Sequence, residues 1–204
     1  MQAVERFELQ RLPVLVVTLT AALVGVFSSA GRLVAADPGA SGFTVANGKF
    51  SLAAPAEFKR ERPRSMIVET EFSLPPVAGD DRPGRLTVMG AGGTIEANID
   101  RWFGQFSQPD GSATKDKAAV KKLKVAGCTV TLVDVTGTYN DMPGGPFAGG
   151  KTVERPDYRM LAAIIETGTA GNYFLKLYGP GKTVGNAADG FRKMVEGMVA
   201  TGDN

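Results

Sequence analysis

Seven short alternating segments and two helical stripes constrain this chain more than anything else in its sequence. Residues 48–53, 66–74, 85–89, 120–125, 128–138, 158–166 and 172–178 place apolar side chains in the period-two or short apolar pattern of strands, and Gly, Pro, Asp or Asn turns separate them. One helix is read over 94–106. Thr94 suits its N-cap, Glu96 favours the dipole in the first turn, and Ile95, Ile99, Trp102, Phe103 and Phe106 recur at helical spacing. A second helix, over 187–199, carries Phe191, Met194, Val195 and Met198 on one face. Helices packed on a largely antiparallel sheet of about six to seven strands give an α+β sandwich. Periodicity does not decide which face of the sheet the second helix covers.

The first thirty-six residues read as an export signal. Arg6 and Arg11 lie in a short polar lead, residues 12–27 form an uncharged and mostly apolar run, and small residues follow. A run of about sixteen residues matches a signal-peptide core and falls short of the ~20 needed to cross a bilayer. Ser28-Ser29-Ala30 and Val34-Ala35-Ala36 are both cleavage patterns; cutting after Ala36 starts the mature chain at Asp37, with Pro38 just beyond. The expected organisation is a signal peptide at 1–36, a flexible lead at 37–47, and a single α+β domain at 48–200. That domain holds a long, exposed Gly/Pro-rich loop at 140–156. The expected location is periplasmic or secreted, with a membrane attachment only if the signal stays on as an anchor.

Composition removes whole classes of function. Without residues 1–36, 20 basic and 19 acidic residues remain, so total charge gives no push toward nucleic acid or acidic membranes. The one basic cluster, Lys115, Lys117, Lys121, Lys122 and Lys124, reads as a solvated linker and strand edge. The chain has no histidine, which removes Ser-His-Asp and Cys-His hydrolases, His-ligated zinc and imidazole bases. Its single cysteine, Cys128, opens an apolar strand and is expected to pack as a small hydrophobe. Carboxylate pairs, Ser-Lys dyads and oxygen-ligated metals survive, but no catalytic or metal motif is found and no cofactor is expected.

Asn98, Arg101, Trp102 and Gln105 share one face of the first helix by their i, i+3, i+4 and i+7 spacing. Together they could bind a planar or anionic ligand, the Arg as a fork and the Trp as a stacking face. The competing reading has Trp102 anchoring the core while Asn98 and Gln105 bond to loop backbone. Gly92, Gly93 and Thr94, where a strand turns into the helix, could cradle an anion or simply make a tight turn. Asp134, Asp141 and Asp157 are the candidate carboxylates, and Lys176 reads as an outward charge on an alternating strand.

The run Gly-Gly-Thr-Ile-Glu-Ala-Asn-Ile-Asp-Arg-Trp-Phe-Gly-Gln-Phe from Gly92 and the run Tyr-Phe-Leu-Lys-Leu-Tyr-Gly-Pro from Tyr173 resemble a group of uncharacterised exported bacterial proteins with an NxxRWxxQ helix. More distantly, the layout resembles the PsbP-type fold of photosystem II extrinsic subunits. That resemblance implies an antiparallel sheet between helices and a non-enzymatic binding or assembly role. It transfers no metal ligand, because those sites rely partly on histidine. The expected function is therefore an exported binding module for an unidentified protein or small ligand, with no nucleic-acid partner. An extracytoplasmic enzyme using carboxylates or an oxygen-bound metal is the alternative.

Overall fold

The computed structural model describes residues 41–143 and 151–202. The expected signal peptide and the first residues of the lead lie outside these, as does the centre of the expected Gly/Pro-rich loop. In chain order the elements are β1 Ser41–Val45, β2 Phe50–Ala54, β3 Lys59–Glu61, β4 Thr70–Leu74, β5 Gly84–Ala91, α1 Ile95–Phe103 and β6 Phe106–Ser107. There follow α2 Thr114–Lys117, β7 Ala119–Val125, β8 Cys128–Asp141, β9 Val153–Glu166, β10 Asn172–Pro180, α3 Gly181–Asn186, α4 Ala188–Glu196 and β11 Val199–Ala200.

The α+β class expected from the sequence is what the chain adopts. An 8-stranded antiparallel sheet runs β3-β4-β5-β10-β9-β8-β6, with β7 also paired to β8, and a 3-stranded sheet runs β1-β2-β11. Alternation along the central strand β10 separates two cores. Leu175 and Leu177 face one core with β1, β2 and α4, while Phe174 faces the other with Ile99 and Trp102 of α1. The terminal helix thus covers the face opposite α1, placing Phe191, Met194 and Val195 against Leu86 and Val88 in the first core. Cys128 is a buried free thiol in that same core, as its apolar setting suggested. Burial raises its pKa.

Four expectations need correction. Residues 41–47 are no flexible lead: Ser41–Val45 pairs with β2, with Phe43 and Val45 buried, so two apolar side chains outweigh the Gly-Ser composition. The strand expected at 66–74 begins only at Thr70; Met66 and Ile67 form a turn closed by Val68 N–H donating to the Ser65 carbonyl at 3.1 Å. The expected loop at 140–156 is narrower, because β8 runs to Asp141 and β9 starts at Val153 as the arms of one hairpin. Lys176 does not point outward to open solvent. Its strand is central in the sheet and both of its faces are covered, so alternation there separates two interiors.

Candidate functional site

α1 begins as the sequence suggests. Thr94 caps it by accepting the Ala97 N–H at 3.1 Å, and Glu96 lies in the first turn. The helix stops at Phe103, and Gly104 lets the chain turn so that Phe106 joins the sheet as β6. The four residues expected to share a face take different roles. Asn98 is 2% exposed; its amide donates to the Gly92 and Thr94 carbonyls at 3.2 and 2.8 Å and accepts from Arg101 at 2.6 Å. Trp102 is buried edge-on against Phe174, with ring centroids 5.9 Å apart. Asn98 and Trp102 therefore fasten the helix. Arg101, bonded to Asn98 through one nitrogen, is exposed and Gln105 is half-buried, so these two side chains reach the rim where a ligand could meet them.

Gln105 leads to a cluster that helix periodicity alone does not reveal. Its Oε1 accepts from Lys176 Nζ, and the ammonium also lies 4.9 Å from the Tyr178 ring centroid and 5.5 Å from that of Tyr139. Tyr139 stacks on Tyr158 at 5.9 Å with nearly parallel planes and touches Phe106. The Tyr178 hydroxyl accepts from Arg85 at 2.9 Å, and Arg85 grips Glu71 through two hydrogen bonds of 2.7 and 2.9 Å. Cross-strand register makes this assembly. Lys176 is opposite Thr87 and Ala162, Tyr178 is opposite Arg85 and Met160, and Glu71 is opposite Thr87.

The electrostatics of the cluster are uneven. Glu71 is 1% exposed yet held below the usual carboxylate range, first by Arg85's hydrogen bonds and then by Arg64, against the opposing effect of burial. Arg85 is correspondingly raised. Lys176 has no carboxylate partner among the described residues. Desolvation, then the charges of Arg101 and Arg85, bring its ammonium down to about 7. Burial also pushes the Tyr139 phenol up. The result is a half-buried cation, a tyrosine wall and an exposed arginine, with Glu71 already occupied by Arg85 and Arg64 and Asp141 by Arg155.

The other candidates are placed as follows. Gly92 gives its carbonyl to Asn98 and Gly93 takes a positive φ of 90°, which makes the tight turn into α1; Thr94's hydroxyl serves the cap. Asp134 is gripped by Arg159 at 2.9 and 2.6 Å, and Asp141 pairs with Arg155 at 3.3 Å. Asp157 is exposed with φ of 57°. Among the described residues, no three His, Cys, Asp or Glu side chains come together as a metal site would need. The five lysines of the basic cluster are exposed, Lys115 and Lys117 on α2 and the others on β7.

No protein-family profile matches the chain, and no curated protein does. Among solved structures it is similar to cyanobacterial PsbP (CyanoP) from Synechocystis sp. PCC 6803, at 9% identity and a TM-score of 0.47, over 86% of this chain and 99% of that one. It is also similar to a Pseudomonas aeruginosa protein of unknown function, at 10% identity and a TM-score of 0.42, over 80% of this chain and 99% of that one. At such identities no residue role passes from either protein to this chain.

Proposed function

We propose that this chain is an exported, non-enzymatic binding module, and that it holds an anionic group of its ligand between Arg101 and Lys176, against Gln105 and Tyr178. The observation that carries this reading is the half-buried Lys176 ammonium, whose partners among the described residues are the neutral Gln105, Tyr139 and Tyr178. A carboxylate or phosphate would supply the counter-charge that the fold leaves out, and charge-assisted bonds in such a partly dry setting are the strong ones. Asn98 and Trp102 act in this scheme by fixing α1, so that Arg101 and Gln105 stand at the rim. The export half of the proposal rests on residues 1–36, and a mature N-terminus at Asp37 or Gly31 in an extracytoplasmic fraction tests it.

Trp102 is the chain's only tryptophan and lies on α1, so its fluorescence reports this site directly. Titration with citrate and with inorganic phosphate should give a saturable change in the wild-type chain. Lys176→Met and Arg101→Ala should each weaken it by about tenfold or more while leaving the circular dichroism spectrum unchanged. Equal affinity in the wild type and both variants would mean that the anion site is not here.

A further inference from the structure

The balanced total charge conceals a local feature at the β3 edge of the sheet. Between β3 and β4 the chain projects a turn whose tip is Met66, fully exposed, and Ile67, 69% exposed. Apolar side chains left in water in such a position cost free energy that a covering partner would recover. This tip is not exposed through looseness. Val68 is buried behind it and its N–H closes the turn on Ser65, while Glu69 N–H donates to the Val88 carbonyl at 2.9 Å. On the other side, the Arg64 N–H donates to Glu71 at 3.0 Å, and Glu71 is itself fixed by Arg85. The fold therefore holds two apolar side chains outward on a braced support.

The surroundings of the tip favour one kind of partner. Arg62 and Arg64 precede it, both exposed, and residues 62–68 contain no carboxylate. Arg64 keeps 69% of its side chain exposed despite its 3.2 Å contact with Glu71. Lys59 on the adjoining edge strand adds a further exposed cation, while Arg60 is held by the Gly42 carbonyl and lies over the Phe72 ring. Glu61, bonded to Ser73, and the exposed Glu69 just past the tip offset part of this charge. A convex two-residue apolar tip below a collar of arginines fits a soft, negatively charged interface, where the apolar side chains enter the acyl boundary and the guanidinium groups stay at the headgroups. We propose that the Met66–Ile67 turn docks this domain onto an anionic lipid surface. The tip shares the Glu71–Arg85 pair with the Lys176 cluster through Arg64, but its apolar side chains take no part in the proposed anion site.

The test places a probe on the tip itself, because the apolar run at residues 12–27 could carry the full chain to vesicles unaided. Met66→Cys in a Cys128→Ala background is labelled with an environment-sensitive fluorophore and mixed with phosphatidylglycerol or phosphatidylcholine vesicles. The expected result is a blue shift with a severalfold rise in emission on phosphatidylglycerol alone, suppressed by high salt. Adding Arg62→Gln and Arg64→Gln should weaken the response on the order of tenfold. A probe that stays in water on both vesicles overturns the proposal, even if the chain sediments with them. An equal shift on both lipids removes the role of the arginines and overturns it as well. A shift without lipid that grows with protein concentration would assign the tip to self-association. A probe buried only when an extracytoplasmic protein fraction is added would assign it to a protein partner. Either of these results overturns the lipid assignment.

Discussion

At Lys176 the direction of the pKa shift becomes a statement about stability. Below about pH 7 the amine is protonated in both folded and unfolded chains, and folding carries the full cost of enclosing the charge. Between about 7 and the ordinary value of 10.5, the unfolded chain alone retains the proton, so this residue's contribution to stability improves as pH rises. Lys176→Met should therefore stabilise the domain by about 2 kcal/mol near pH 6, a figure reduced for the residue's partial contact with solvent, and the gain should shrink toward pH 10. Urea melts across that range measure it, and a difference that does not vary with pH would contradict the assignment. Thr131 offers a second case. It is fully buried opposite Ile164, and its hydroxyl is the one buried side-chain oxygen or nitrogen without a partner among the described residues. Thr131→Val keeps the shape and removes the orphaned group, so a gain of about 1 kcal/mol in a urea melt is expected. The enclosed setting of neither residue could be read from the sequence alone. A lysine or threonine at an alternating position reads as outward until the register shows that both faces of its strand are covered.

Elements were legible where pattern was local and obscure where it depended on a partner. The Thr94 cap, the apolar stripe of α1 and the cores of β7 to β10 follow from spacing within a few residues. β1 was hidden by its Gly and Ser neighbours, and β6 by its length of two residues. The tyrosine wall was out of reach for a different reason: Tyr139, Tyr158 and Tyr178 come from three strands, and only their pairing collects them. A β-bulge takes part in that pairing. Gly137 faces Tyr158 and Tyr139 faces Arg155, so β9 carries one extra residue, and Asp157 absorbs it with φ of 57°. Gly137 itself has φ of 147°, and an added Cβ would lie 2.7 Å from the Ser107 carbonyl oxygen. Gly137→Ala should cost about 2–4 kcal/mol, because the backbone conformation resists a side chain and the obstacle is backbone rather than a movable tip. Thermal melts measure the loss. Displacement of β6 should also loosen Gln105, whose carbonyl accepts from the Asn140 N–H at 2.8 Å.

Across the molecule, the two ends of the described chain are joined in the small sheet. β11 pairs with β2 through Val199 opposite Ser51 and Ala200 opposite Phe50, and Thr201 N–H donates to the Lys49 carbonyl at 3.0 Å. Met198, just before this strand, is buried in the core shared by β1, β2 and α4. The α+β class could be read from the sequence, but this closure could not, since Val199 and Ala200 carry no strand pattern and their partner lies about 150 residues earlier. Ending the chain after Gly197 would remove one buried methionine and the strand that covers the β2 edge. Loss of the side chain alone should cost about 1.5–3 kcal/mol, and the missing backbone bonds add to it, so a total near 3–4 kcal/mol is expected from urea melts. The loss should be uneven. Amides of β1 and β2 should exchange with solvent much faster, while those of β8, β9 and β10 in the centre of the large sheet keep most of their relative protection. Hydrogen exchange read strand by strand decides the point. A uniform loss across both sheets would mean that the small sheet and the large one open as a single cooperative unit.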